Sequence, residues 1–299
     1  MTRKIFTAMA AVVAAAALVP SPASAALPAP TATAKAKATA KATAEAKATA
    51  AKQQAKARAM WLWSQANPAA VVAWANKQGV KEIFAAVPWQ PSAAEVKRLR
   101  DLRARTKAAG IRLSALGGDP SWAVNPQNAV AWRQRVSALR LFDGVHLDVE
   151  PYLLPNWLKD QPAIAASYLT MLDAVRRAGP EPLEADVPFW LATVKVGSQN
   201  LAEAVIARVD AITVMSYRDS GSAVLAVGTD LLTRAQAGRK PVRLAAETQP
   251  TSDCTYCTFA GRTQAALQQQ LAAIDAGARG YGTYQGIAVH DYDTWSNIN

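Results

Sequence analysis

From Met60 onward, short apolar runs alternate with longer stretches in which apolar and polar residues recur at helical spacing. The runs are "MWLW" (Met60 to Trp63), "VKEIFAAV" (Val80 to Val87), "IRLSAL" (Ile111 to Leu116) and "GVHLDVE" (Gly144 to Glu150). They continue with "LEADVPF" (Leu183 to Phe189), "AITVMSY" (Ala211 to Tyr217), "VRLAAE" (Val242 to Glu247) and "GYGTYQ" (Gly280 to Gln285). Each run reads as a strand. The helices between them mark their own ends. Asn67-Pro68 opens one that Gly79 closes, Ser92 with Glu95 forms a capping box for another that Gly110 closes, and Asn125-Pro126 repeats the first device. Further helices are predicted at 163–178, 200–207, 222–237 and 263–276.

Eight strands alternating with helices predict an α/β fold, a closed (β/α)8 barrel forming a single domain over residues 59–299. The competing architecture is an open doubly wound sheet. Its glycine-rich phosphate turn is missing, because the first strand leads into "SQANP".

Composition changes ahead of the barrel. Arg3 and Lys4 precede an apolar run from Ile5 to Val19, and "SPASA" ends in an Ala23-Ser24-Ala25 cleavage pattern. Residues 1–25 therefore read as a signal peptide of a secreted, extracellular protein, the run being too short for a comfortable membrane span. Residues 26–58 are almost only Ala, Thr and Lys, with too few bulky apolar groups for a core, and read as a disordered low-complexity tether. Six Lys and one Arg against one Glu between Lys35 and Arg58, with Arg3 and Lys4, account for +8 of the formal +11. The basic character thus belongs to leader and tether. A basic tether suits contact with an anionic cell wall, or simple solvation. No nucleic-acid partner, membrane span or cofactor is called for, and a monomer is expected.

Candidate chemistry concentrates at the strand ends. In "GVHLDVE", His146, Asp148 and Glu150 share one face, and Glu150 stands at the C-terminal end, where barrel enzymes keep their active sites. Stacked carboxylates repel, which favours one staying protonated as a general acid. The alternative is that these acids only pair with arginines of neighbouring strands, for which Arg112, Arg218 and Arg243 are available. Other strands add Asp186 with Glu184, then Met215 and Tyr217, then Glu247 and Gln249. Asp119 and Trp122 follow the third strand, Trp190 the fifth, and His290 and Asp291 the eighth. Trp89, Trp122 and Trp190 suit stacking on sugar rings. His146 and His290 lack the spacing of a zinc motif, and no metal is assigned. Cys254 and Cys257 in "CTYC" are expected to form a disulfide in an exported chain.

"DGVHLDVE" resembles the strand-four signature of the chitinase-like glycoside hydrolase family 18, Asp-x-x-Asp-x-Asp-x-Glu. Asp143, Asp148 and Glu150 match, and His146 replaces the middle Asp. "MSYR" is similar to the Met-x-Tyr-Asp of strand six, with Arg218 replacing the Asp, and Trp295 resembles the Trp that follows strand eight. The resemblance implies a hydrolase acting on a polysaccharide, with Glu150 as general acid. Asp148 and Tyr217 would hold a substrate N-acetyl group that attacks the anomeric carbon, a substrate-assisted retaining route. A second arrangement uses Glu150 as acid/base and Glu247 as nucleophile. A non-catalytic carbohydrate-binding barrel and a cell-wall interaction protein remain the other classes.

If the leader is cleaved as read, protein from culture medium begins at Ala26. Intact-mass measurement should find the first 25 residues missing; a retained amino terminus would contradict the export signal.

Overall fold

The computed structural model describes residues 55–298 together with Lys37, Thr39 and Lys41. The predicted export signal and nearly all of the tether lie outside the described residues. The chain divides into two units, Met1–Ala48 and Thr49–Asn299, and the second holds the barrel.

Eight parallel strands close on themselves: β1 (Arg58–Leu62), β2 (Val80–Ala86), β3 (Arg112–Gly117), β4 (Gly144–Leu147), β5 (Leu183–Pro188), β6 (Ala211–Met215), β7 (Val242–Glu247) and β8 (Tyr284–His290). Helices α1 (Pro68–Gln78), α2 (Ala93–Ala108), α3 (Pro126–Leu139) and α4 (Trp157–Arg177) follow the first four strands. Then come α5 (Leu201–Arg208), α6 (Gly221–Ala237), α7 (Gln264–Ala278) and the short α8 (Tyr292–Trp295). A two-stranded hairpin, Lys195–Val196 with Gln199–Asn200, precedes α5. The single-domain (β/α)8 barrel is as the alternation of patterns predicts. Among the described residues no helix is long and apolar enough to cross a membrane.

The caps act as the sequence indicates. The Asn67 side chain accepts from the Ala69 and Ala70 N–H groups, and Gly79 ends α1 in the left-handed conformation at φ 71°. Ser92 and Glu95 form the reciprocal capping box of α2. Two boundaries differ. Strand eight is Tyr284–His290, beyond the predicted Gly280 to Gln285, because residues around Gly280 and Gly282 turn rather than extend. Gly286 makes the shift possible: it sits at φ 123°, and a Cβ there would lie 2.0 Å from the Ala57 carbonyl oxygen. Arg58, assigned by composition to the tether, is the first residue of β1, buried and 2.8 Å from Asp275.

Strand alternation sorts the core into two clusters. Outward residues such as Val145, Leu147, Leu244 and Val289 join the helices in one large apolar layer. Inside the barrel the apolar set is small: Ala59, Trp61, Phe84, Leu116, Ala245 and Ala288. Below it, at the N-terminal ends, Arg243 of β7 bridges Glu82 of β2 (2.5 Å) and Glu184 of β5 (2.6 Å). Ser114 and Thr213 complete the shells of these two carboxylates. The arginine-paired alternative therefore holds for this base layer. It does not hold for Asp148 or Glu150, for which no salt bridge to an arginine occurs among the described residues.

Burial alone would raise the Glu184 pKa, but Arg243 and then His146 outweigh it and hold the carboxyl below its ordinary value. A depressed carboxylate pKa contributes stability above the unfolded-state pKa, and that contribution is lost as pH falls through the folded value. Arg243→Met leaves the buried Glu184 and Glu82 only the more distant His146 and Arg112 and should cost about 3–5 kcal/mol at pH 7. The loss should shrink near pH 4, where the orphaned acids protonate. Urea unfolding at the two pH values checks this, and equal losses would rule out an electrostatic origin.

Candidate active site

Above the apolar layer, the C-terminal strand ends bring together Asp148 and Glu150 after β4, Asp186 in β5, Tyr217 after β6, Glu247 of β7 and His290 of β8. β4 itself ends at Leu147; Asp148 and Glu150 continue it without strand pairing. The Asp148 N–H still donates to the Gly117 carbonyl (3.0 Å). Gly118 lies so close that a Cβ would sit 1.9 Å from the Asp148 carbonyl oxygen. Glycine is therefore required there for the end of β3 to support the acidic turn.

His146 points into the barrel and is fully buried. Its ring stacks on Phe84 at 3.7 Å between centroids. Nε2 lies 2.8 Å from Asp186 Oδ2, an oxygen that also accepts from the Trp61 indole N–H at 3.2 Å. Nδ1 is 3.8 Å from Glu184. Burial opposes charging the imidazole, but Asp186, Glu184 and Asp148 together raise its pKa.

The acids above it are displaced in the opposite sense to a surface carboxyl. Burial, then Asp186 and Glu150, push the Asp148 pKa well above its ordinary value, against the pull of His146 and His290. Its Oδ1 is buried with no hydrogen-bond partner among the described residues. A neutral carboxyl tolerates such a position far better than an anion does. Burial also raises Glu150. There the Tyr152 hydroxyl, donating to Oε1, acts downward while Asp186 acts upward. Tyr217 is raised by burial and by Glu247, Asp186, Asp148 and Glu150, so its hydroxyl stays protonated beside the acids.

Glu247 is more fully engaged. Its Oε1 accepts from the N–H groups of Thr248 (2.7 Å) and Gln249 (2.6 Å), and its Oε2 is 2.9 Å from His290 Nδ1. The Trp63 indole N–H donates to His290 Nε2 at 2.9 Å, which requires that nitrogen to be unprotonated and places the ring proton on Nδ1. Burial resists charging His290 while Glu247, Asp291 and Asp148 favour it; the acids prevail and its pKa is raised.

Several sequence-selected residues serve other ends. Asp143 lies at the N-terminal end of β4, paired with Arg103 and accepting from the Leu113 N–H, so it braces the barrel base and cannot reach the mouth. Asp291 caps α8 and accepts from Gln249 Nε2 (2.8 Å), so these two satisfy each other. Trp295 is fully buried edge-to-face against Trp74 in the helix layer, away from the strand ends. Met215 ends β6 with 8% of its surface exposed. Trp190 packs edge-on against Tyr152, with centroids 4.9 Å apart.

An open cleft of about 630 Å³ lies beside the acids, over the ends of β2 and β3. Trp63, Trp89 and Trp122 line it, Asp119 is its one carboxylate, and its floor includes Gly117 and Gly118. Trp63 (37%) and Trp89 (38%) expose apolar ring surface, whereas Trp122 is largely sunk against Trp132. Asp119 is partly committed, accepting from the Ser121 N–H. Cys254 and Cys257 are joined in the loop after β7.

Sequence reasoning missed Trp61, Phe84 and Tyr152. Trp61 lies in phase with Trp63 in "MWLW" and was open to detection by alternation. Tyr152 was signalled only by Pro151, which starts the short 3-10 turn that returns the phenol to Glu150. Tyr152→Phe removes the donor that stabilises the ionised carboxylate. The Glu150 pKa should then rise further, as read by carboxyl-carbon NMR titration; a lower value would contradict this geometry.

No family model matches the chain, and no curated protein sequence matches it. Solved structures do resemble it. A family 18 chitinase from Pseudoalteromonas aurantia superposes with a TM-score of 0.54 at 10% identity, covering 79% of this chain and 94% of that one. A chitinase from Chromobacterium violaceum gives 0.52 at 14%, covering 81% and 97%. The spore cortex-lytic enzyme SleL of Bacillus cereus gives 0.51 at 9%, covering 80% and 72%. At such identities the likeness establishes the fold, a closed (β/α)8 barrel of the kind these glycan-cleaving enzymes also use.

Proposed function

We propose that the barrel is a secreted glycoside hydrolase that cleaves a polysaccharide carrying N-acetyl groups, with Glu150 as general acid. The observation that carries this reading is the pair at the top of β4. Asp148 and Glu150 are both displaced toward the protonated form by burial and by neighbouring carboxylates, beside an open aromatic cleft. A carboxyl whose pKa is raised holds its proton to higher pH, which favours its protonating a glycosidic oxygen. The enzymes named among the solved structures, chitinases and a cortex-lytic enzyme, favour a glycan over other substrates.

In this reading Asp148 orients the N-acetyl group and stabilises the positive charge that develops on it, while Tyr217 donates to the acetyl carbonyl. Substrate assistance is preferred over a covalent glycosyl-enzyme because Glu247 is already held by two backbone N–H groups and His290. The proposed export and the basic tether would place the barrel at an anionic cell surface. One observation favours a second reading, a carbohydrate-binding barrel without catalysis: the open cleft is lined by four tryptophans, Trp63, Trp89, Trp122 and Trp132, and a single carboxylate.

Glu150→Gln keeps size and hydrogen bonding but removes the transferable proton. Hydrolysis should fall by roughly 10²–10⁴ while glycan binding persists. Wild type and this variant are to be screened against N-acetylated and non-acetylated polysaccharides. Equal rates would defeat the role of Glu150, and binding without cleavage of any glycan would establish the second reading. Asp148→Asn should be similarly damaging. A large loss in Glu247→Gln that azide rescues would instead favour the covalent route.

A further inference from the structure

The cation at the rim has no role in the mechanism above. Arg218 follows Tyr217 at the top of β6, and its Nη1 donates to the Tyr217 carbonyl oxygen at 2.7 Å. The guanidinium carbon lies 4.6 Å from the Phe189 ring centroid and 5.8 Å from that of Tyr256. Phe189 comes from the loop after β5. Tyr256 comes from the loop after β7, between the two bonded cysteines, and Cys257 Sγ is 3.9 Å from Nη1. The Tyr256 carbonyl accepts from the Asp219 N–H at 3.0 Å, which ties this small ring to the β6 loop. Three loops thus converge on one guanidinium.

Its charge is not spent inside the chain. Arg58, Arg103, Arg133 and Arg243 each pair with a carboxylate. Arg218 has no carboxylate within ion-pair distance among the described residues, and its Nε and Nη2 have no hydrogen-bond partner there. A half-buried guanidinium loses part of its hydration, and the flanking rings recover only some of it. Its orientation is nevertheless fixed, so the free edge of the fork is prepared to meet a planar or tetrahedral anion with two parallel hydrogen bonds. The surrounding mouth carries Asp148, Glu150, Asp186 and Glu247, which repel an anion. A neutral glycan has no need of a fixed rim cation, whereas an acidic one does.

We propose that Arg218, clamped between Phe189 and the disulfide-braced Tyr256, is an anion-binding subsite, and that the glycan taken by this barrel carries a negatively charged substituent on the sugar seated there. The inference rests on the glycan reading above and narrows its substrate class to acidic glycans. It also gives the "CTYC" segment a purpose: the four-residue ring holds one wall of the subsite. The anion is a carboxylate or a sulfate ester, both of which fit the fork.

The test is calorimetric titration of the full-length protein with three ligands: hyaluronan oligosaccharides, their carboxyl-reduced counterparts and O-sulfated chitin oligosaccharides. Wild type should bind an anionic ligand about 10- to 100-fold more tightly than the neutral one, the range of a charge-assisted contact. Arg218→Gln should erase that preference while leaving neutral binding and thermal stability unchanged. Arg218→Lys, which keeps the charge but not the fork, should retain part of it. The tighter of the two anionic ligands assigns the group. Equal wild-type affinity for charged and neutral ligands, or equal weakening of both in Arg218→Gln, overturns the anion subsite and leaves the glycan reading standing. Binding of none of the three by wild type overturns both.

Discussion

A buried imidazole stands between two sets of carboxylates, and the arrangement of the mouth follows from it. His146 hydrogen-bonds Asp186 at 2.8 Å and approaches Glu184 at 3.8 Å, with no solvent access to share the charge. Below it the carboxylates are neutralised by Arg243; above it they are not. With an apolar residue in place of His146, Asp186 would keep only the Trp61 N–H, and both Asp186 and Asp148 would lose a cation that holds their pKa values down. The imidazole therefore limits how far the upper acids are driven toward neutrality. It leaves them displaced, which general acid chemistry needs, without stranding a lone buried anion.

Much of this was legible in the sequence because it depends on short-range rules. Asn67, Ser92 and Glu95 announce their helices through side-chain geometry that spans one turn. The facing of His146, Asp148 and Glu150 follows from strand alternation alone. Strand eight shows where local reading fails. Glycine at 280, 282 and 286 gives no single instruction, and only the close approach of Gly286 to Ala57 fixes which glycine extends. The cause is a contact between distant parts of the chain.

The same division explains the site. That Asp148 and Glu150 stand at a strand end is a local fact; that Asp143 faces the opposite end follows from where β4 begins. Gln249 and Asp291 look equally available in sequence, yet they meet across the tops of β7 and β8 and satisfy one another. Partnership between residues 42 positions apart is invisible to periodicity. Trp295 illustrates the reverse: it follows the last strand directly, yet α8 turns it outward onto Trp74.

The charged floor of the barrel has a consequence for how the chain assembles. Glu82 and Arg243 are 161 residues apart in sequence, and Glu184 lies between them. A half-barrel ending after β4 contains Glu82 but neither Arg243 nor Glu184, leaving that carboxylate only the exposed Arg112 at 3.5 Å. The complementary half holds Arg243 and Glu184 but leaves the arginine short of its second acid. Each fragment keeps one partial pairing, Arg112 with Glu82 or Arg243 with Glu184, but the guanidinium meets both of its carboxylates only when both halves are in place. Closure of the ring is in this way coupled to ion pairing across it, and a permuted or divided chain should hold together only if β2, β5 and β7 still meet around one guanidinium.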